Sequence, residues 1–216
     1  MGRLVKLFST SIGRKQLVAI TGLLLCGFLV THLAGNFLMF QGPRAFDSYA
    51  EFLEHHPLLA PAEAGLAVLF LIHILIGLKL SWENRAARPE RYAVCACAGG
   101  RTAGSATMKY TGLFTLVFLI AHIVTFKLQS PEGASLFGWV MSWFQSLAYA
   151  LFYVIAMVFL GLHLSHGVHS ALHTLGIDHP KYTPALRGLG RAFAAAMAVG
   201  FGMLPVWAHF LRGGQP

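Results

Sequence analysis

Polar and apolar positions in this chain fall into long blocks rather than alternating residue by residue. Five blocks are apolar for close to the ~20 residues a helix needs to cross a bilayer: residues 17–40, 62–80, 110–128, 143–173 and 186–210. Breakers and charges bound each one. The polar segment STSIGRKQ precedes the first block, where Ser9 or Ser11 is placed to cap a helix. Gly42, Pro43 and Pro57 punctuate the connection QGPRAFDSYAEFLEHHP around a short amphipathic stretch. Pro61 opens the second block and the charged run KLSWENRAARPER closes it. Ser130, Pro131 and Gly133 separate the third from the fourth, Gly176 and Pro180 stop the fourth, and Pro205 lies near the end of the fifth. The pattern predicts an all-α integral membrane protein, with residues 1–216 forming a single membrane domain of five transmembrane helices gathered in a bundle.

Composition agrees, with 56% hydrophobic and 11% charged residues, against the roughly 25% charged of soluble domains. The net charge of +8 reflects topology rather than nucleic-acid binding, because the basic residues are grouped. Arg3, Lys6, Arg14 and Lys15 precede the first block; Arg85, Arg88, Arg91 and Arg101 follow the second; Lys181, Arg187 and Arg191 follow the fourth. The first connection has only Arg44 and the third only Lys127 at its edge. Positive segments face the cytoplasm, which places the N-terminus inside and the C-terminus outside. The first block ends in THLAGN rather than at a small-residue cleavage site, so it reads as a retained span. Cys26, Cys95 and Cys97 form no even framework, and no C-x-x-C-H occurs, so any haem is non-covalent. Trp82, Trp139, Trp143 and Trp207 fall near block ends, where an aromatic belt sits.

Four blocks carry one histidine each at depth: His32, His73, His122 and His163. Ionisable groups at that depth are costly and mark sites or pathways. His32 and His122 lie late in outward-running spans; His73 and His163 lie past the middle of inward-running ones. They therefore sort into two level pairs, and two imidazoles facing each other at one depth are what a six-coordinate haem iron needs. Gly35, Gly77 and Gly167 follow their histidines by three or four residues on the same helix face, a spacing that admits a porphyrin edge and equally serves small-residue helix packing. His166 is an alternative ligand on nearly the same face as His163. His169 and His173 lie nearer the cytoplasm, where a quinone or propionate fits, and His55, His56, His179 and His209 read as interfacial or loop residues. An odd span count excludes a simple inverted repeat, and no solenoid-type repeat is present. Glu63 and Glu83 stand only at block ends, which disfavours a metal or proton transporter.

Several motifs resemble those of one family: SIGRK, TGL followed by FLVTHLAGN, GPRAFDSYAEFL, HILIGLKLSWENRAAR, MKYTGLFTLVFLIAHIVTF and HLSHGVHSALHTLGIDHPKYTP. Together they are similar to the di-haem cytochrome b membrane anchor of succinate:quinone oxidoreductases, that is, of succinate dehydrogenase or quinol:fumarate reductase. The resemblance implies two non-covalent, bis-histidine haem b groups, with His32 and His122 on the iron of the outer haem and His73 and His163 on that of the inner one. Its H-x-S-x-G pattern favours His163 over His166. It further implies a flavoprotein subunit with FAD and an iron-sulfur subunit docked on the cytoplasmic face of a bacterial inner membrane. Electrons then pass through the haems between those subunits and a quinone, menaquinone in the five-helix branch, with no dicarboxylate site in this chain. Arg14, Lys15, Arg101 and Lys109 are candidates for haem propionates or the partner subunits, and equally plain positive-inside residues. With no acid at mid-depth, quinone protons are expected to exchange outside, where Glu54 and Glu51, beside Asp47, His55 and His56, are the candidate general bases for quinol. A cytochrome b subunit of a hydrogenase or formate dehydrogenase is the alternative; it shares bis-histidine haems but not the motif set.

Overall fold

A helix starts where a side chain can satisfy its first free amides, and here threonines and serines supply most of the starts. In the computed structural model, which describes residues 9–87, 102–131 and 133–211, helix α1 spans Ser11–Asn36. Its cap is neither Ser9 nor Ser11 but Thr10, whose backbone is extended (φ −94°, ψ 150°) and whose hydroxyl accepts from the Gly13 amide at 3.0 Å. Ser11 is already helical, so its side chain cannot fill that role. A 3-10 turn, Phe37–Gln41, carries the chain to Gly42, whose φ of 101° is a left-handed value that suits glycine. Helix α2, Pro43–Glu54, follows with proline in its first turn; it is the amphipathic stretch of the first connection, and it buries Phe46.

Helix α3 spans Leu59–Ala86 and α4 spans Ala103–Ile123, the latter opened by a capping box between Thr102 and Ser105. A π-helical turn, Val124–Leu128, continues α4. The fourth apolar block, expected as one helix over 143–173, is one helix from Leu147 onward, and its first two residues belong to a separate short helix that precedes it. Helix α5, Leu136–Phe144, ends before Ser146, which turns to an extended backbone and caps α6, Leu147–Thr174. Helix α6 closes with Ile177 N–H on the Leu172 carbonyl and Gly176 N–H on that of His173, around a Gly176 at φ 85°. Helix α7, Thr183–Val206, contains Pro205 and runs on as a second π-helical turn, Trp207–Leu211.

All regular structure among the described residues is helical, and five helices are long and apolar enough to cross a membrane: α1, α3, α4, α6 and α7 with their extensions. Helix α6 is the hub, packed against α7, α4 and α1. Close approach is built from small residues: a Cβ on Gly161 of α6 would stand 2.9 Å from Ala198 Cβ of α7, and one on Gly200 of α7 2.7 Å from Leu33 of α1. Helix α3 differs, because it has no fully buried residue and leans mainly on α1. Two ion pairs fix the directions. Arg14 meets Glu83 at 2.8 Å, so α1 and α3 are antiparallel, and Lys127 meets Glu63 at the opposite end, so α3 and α4 are too. These define an Arg14 end and a Lys127 end of the bundle. Of the residues used for orientation, Arg3, Lys6, Arg88, Arg91 and Arg101 lie outside the described residues, as do Cys95 and Cys97.

Candidate functional site

Four helices each bring one imidazole toward the bundle interior. His32 of α1 faces His122 of α4 with ring centroids 5.7 Å apart and planes at 88°. His73 of α3 faces His163 of α6 at 6.4 Å and 79°. All four are half-buried. The first pair lies toward the Lys127 end and the second toward the Arg14 end. His166 is not opposite His73: its Cβ lies against Gly104, near the start of α4.

These separations fit one iron per pair. Metal-nitrogen bonds of about 2.0–2.1 Å, added on each side to a ring radius of roughly 1 Å, put two axial imidazole centroids near 6 Å. The donor set is also that of a bis-histidine haem. Around the first pair the chain supplies aromatic walls: Phe28 stacks on His32 at 5.1 Å, and Phe201, Phe118 and Phe126 lie within 5.7 Å of one or other ring. Polar partners are few and directed. The Tyr153 hydroxyl is 3.0 Å from His122 Nδ1, and Tyr149 of the next turn donates to Thr125 Oγ1 at 2.9 Å. At the second pair Thr21 Oγ1 is 3.2 Å from His73 Nδ1, whereas His163 Nδ1 is buried with no side-chain partner; the backbone of Val18 faces the first ring and that of Met108 the second.

The glycines that matter at these rings are not those that follow the histidines in sequence. A Cβ on Gly35 would strike Tyr49 at 2.7 Å, so that glycine seats α2 against α1; one on Gly167 would touch only Met108, and one on Gly77 would meet nothing within 4 Å. Instead Gly22 of α1 and Gly112 of α4 admit the second pair, since a Cβ there would stand 3.0 Å from His73 Cε1 and 3.2 Å from His163 Cε1. A signal for them was present in the sequence: both stand in a Thr-Gly-Leu motif, ten residues before His32 and His122 respectively.

Other predicted residues scatter. Glu51 and Glu54 are exposed on α2; Glu51 lines a shallow depression with Ser48, Phe52, His55, His56 and Pro57. Asp47 is committed elsewhere, accepting from the Phe137 amide at 2.8 Å and the Ser135 hydroxyl at 2.6 Å, so that it fastens the start of α5. Arg14 is paired with Glu83, Lys15 is exposed, and Lys109 lies over the Tyr110 ring at 4.6 Å. His169 sits 3.3 Å from Arg187. His173 meets Asp178 at 3.1 Å, and the Thr183 hydroxyl holds that carboxyl below the usual carboxylate range, with His173 adding to the effect.

The fold therefore defines an all-helical, multi-pass membrane protein with two facing histidine pairs. The chain is similar to the succinate dehydrogenase cytochrome b558 subunit of Bacillus subtilis (strain 168), with 27% identity over 168 residues, covering 76% of this chain and 79% of that one. No protein-family model and no solved structure matches it. The similarity supports the succinate dehydrogenase cytochrome b family that the motifs indicate, and with it a place in the bacterial cytoplasmic membrane.

Proposed function

We propose that this chain is the haem-bearing membrane anchor of a succinate dehydrogenase or fumarate reductase, the subunit that joins a membrane quinone to the electron path of the complex. The reading is carried by the two histidine pairs, each at the spacing of axial imidazoles on one iron, in a chain related to a succinate dehydrogenase cytochrome b. His32 and His122 hold one haem b, His73 and His163 the other, both without covalent attachment. When bound, each haem supplies a one-electron redox centre. The chain's own residues orient and shield. Phe28, Phe118 and Phe201 keep water from the His32–His122 pair, Tyr153 fixes the His122 ring, and Gly22 and Gly112 let the other two rings approach neighbouring backbone.

The clustering of basic residues directs the Arg14 end to the cytoplasm and the Lys127 end outside. The FAD flavoprotein and the iron-sulfur subunit dock at the Arg14 end, and dicarboxylate chemistry stays with them. Menaquinone, or another quinone, reacts near the outer pair, where Glu51 or Glu54 accepts quinol protons.

An optical spectrum and haem extraction of the purified complex test the reading. Two b-type haems per chain with co-purifying flavin are expected. Haem in a complex without flavin would move the chain to the hydrogenase or formate dehydrogenase type, and absence of haem would overturn the proposal.

A further inference from the structure

The two Thr-Gly-Leu motifs belong to a longer correspondence. Thr21, Gly22, Phe28, His32, His73 and Gly77 recur 90 residues on as Thr111, Gly112, Phe118, His122, His163 and Gly167. The correspondence maps α1 onto α4 and α3 onto α6, each pair running in the same direction, so it relates the halves by an axis along the bundle rather than by inversion. Contacts in one half thus have counterparts in the other. Phe28 lies 5.1 Å from His32 and Phe118 5.7 Å from His122; Gly22 closes on His73 and Gly112 on His163.

The threonines are the polar members of this set, and both are buried in apolar helices, Thr21 at 4% and Thr111 at 1% exposure. A hydroxyl carries one hydrogen and two lone pairs. Thr21 spends its hydrogen on its own helix, with Leu17 O at 2.7 Å and Val18 O at 3.2 Å. Toward His73 Nδ1, 3.2 Å away, it is therefore an acceptor, and the ring must carry its proton on Nδ1. That leaves the Nε2 lone pair free. Thr111 spends its hydrogen in the same way, on Met108 O at 3.0 Å and Thr107 O at 3.2 Å. His163 Nδ1 is buried with no side-chain partner, 3.4 Å from where a Cβ on Gly112, next to Thr111, would stand; the Met108 carbonyl is its polar neighbour, as the Val18 carbonyl is that of His73.

We propose that Thr21 and Thr111 are paired positioning residues for the His73–His163 site, each standing with the carbonyl three residues before it, Val18 or Met108, to receive the Nδ1 proton of one histidine from a neighbouring helix and so leaving Nε2 free for a shared iron. The inference rests on the haem-ligand reading above. A hydrogen bond from the far nitrogen of a metal-bound imidazole fixes the tautomer and raises the basicity of the ligand. Greater basicity stabilises the oxidised iron, so loss of either acceptor raises the midpoint potential of that haem alone. Each threonine serves one face of the same site, and the two effects add.

Redox titration of both haems, with electron paramagnetic resonance of the oxidised low-spin signals, tests this in the assembled complex. Thr21→Val and Thr111→Val should each raise the potential of the His73–His163 haem and shift its low-spin signal, with the other haem unchanged. Thr21→Ser and Thr111→Ser, which keep the hydroxyl, should restore both readouts. Loss of that haem alone in the valine variants, reversed by serine, is the stronger form of the same result. Thr115→Val is the control, because its hydroxyl bonds only the Thr111 carbonyl, at 2.8 Å, and it should move neither haem. Unmoved potentials in both valine variants, or equal effects on both haems, would overturn the inference while leaving the haem reading intact. A wild-type complex without haem would overturn both, and that is visible before any variant is made.

Discussion

At the scale of single residues, facing histidines make replacement phenotypes sort in pairs. His32→Ala and His122→Ala should each abolish the low-spin signal of one haem, and His73→Ala and His163→Ala that of the other, because each iron needs both axial ligands. Spectra of the four variants check this; His32 and His73 variants damaging the same haem would contradict it. His166→Ala should keep both signals, since that ring lies by Gly104 rather than opposite His73. Glu51→Gln and Glu54→Gln should slow quinol-linked turnover several-fold with normal haem content and unaltered succinate oxidation by an artificial acceptor. Full quinol turnover in both would remove the outer-face base. Depth along antiparallel spans is readable from sequence, which is why the facing of His32 with His122 and of His73 with His163 was anticipated. Rotation of one helix about its axis relative to another is not. The Thr21 contact to His73 and the Gly22 and Gly112 approaches depend on that rotation, whereas sequence spacing points only to glycines on the histidines' own helices.

At the scale of elements, the boundary between α5 and α6 shows where hydrophobic patterning fails. LFGWVMSWF and LAYALFYV are both apolar, so the break between them leaves no trace in hydropathy. Its causes are a backbone turn at Ser146 and a tether at the far end of α5, where Asp47 of α2 accepts from Ser135 and the Phe137 amide. A carboxylate at a helix start gains from the amides and the dipole together. Asp47→Ala should therefore cost about 1–2 kcal/mol, read as a lower unfolding midpoint in detergent, and Asp47→Asn should recover part of it. A loss no larger than that of an exposed α2 substitution such as Glu51→Ala would show that the tether carries little. The helix starts at Thr10 and Thr102, by contrast, obey ordinary capping chemistry; the first was missed by one residue because three hydroxyl residues stand in a row.

For the whole molecule, the span count was legible because membrane insertion reads the same quantity, apolar length, while flanking charge sets the expected orientation. Reporter fusions made after Ala87, where α3 ends, and after Gly133, beyond α4, should report opposite sides of the membrane, cytoplasmic and external respectively. Equal signals would cancel the orientation. The loose seating of α3 was not legible, since its sequence is as apolar as that of any other span. Four spans interlock, and this one leans mainly on α1 and meets α6 through His73 and His163. If the haem proposed for His73 and His163 is what ties α3 to α6, that asymmetry would make porphyrin supply a quality-control signal in a living cell. A newly inserted chain starved of haem would hold α1, α4, α6 and α7 together while α3 drifts into lipid, and membrane proteases would find a ready substrate. Pulse-chase labelling in a strain that cannot make haem should show this chain degraded several-fold faster than in haem-fed cells, with His73→Ala degraded fast in both. Equal lifetimes in the fed and starved cells would show that α1 alone retains the span.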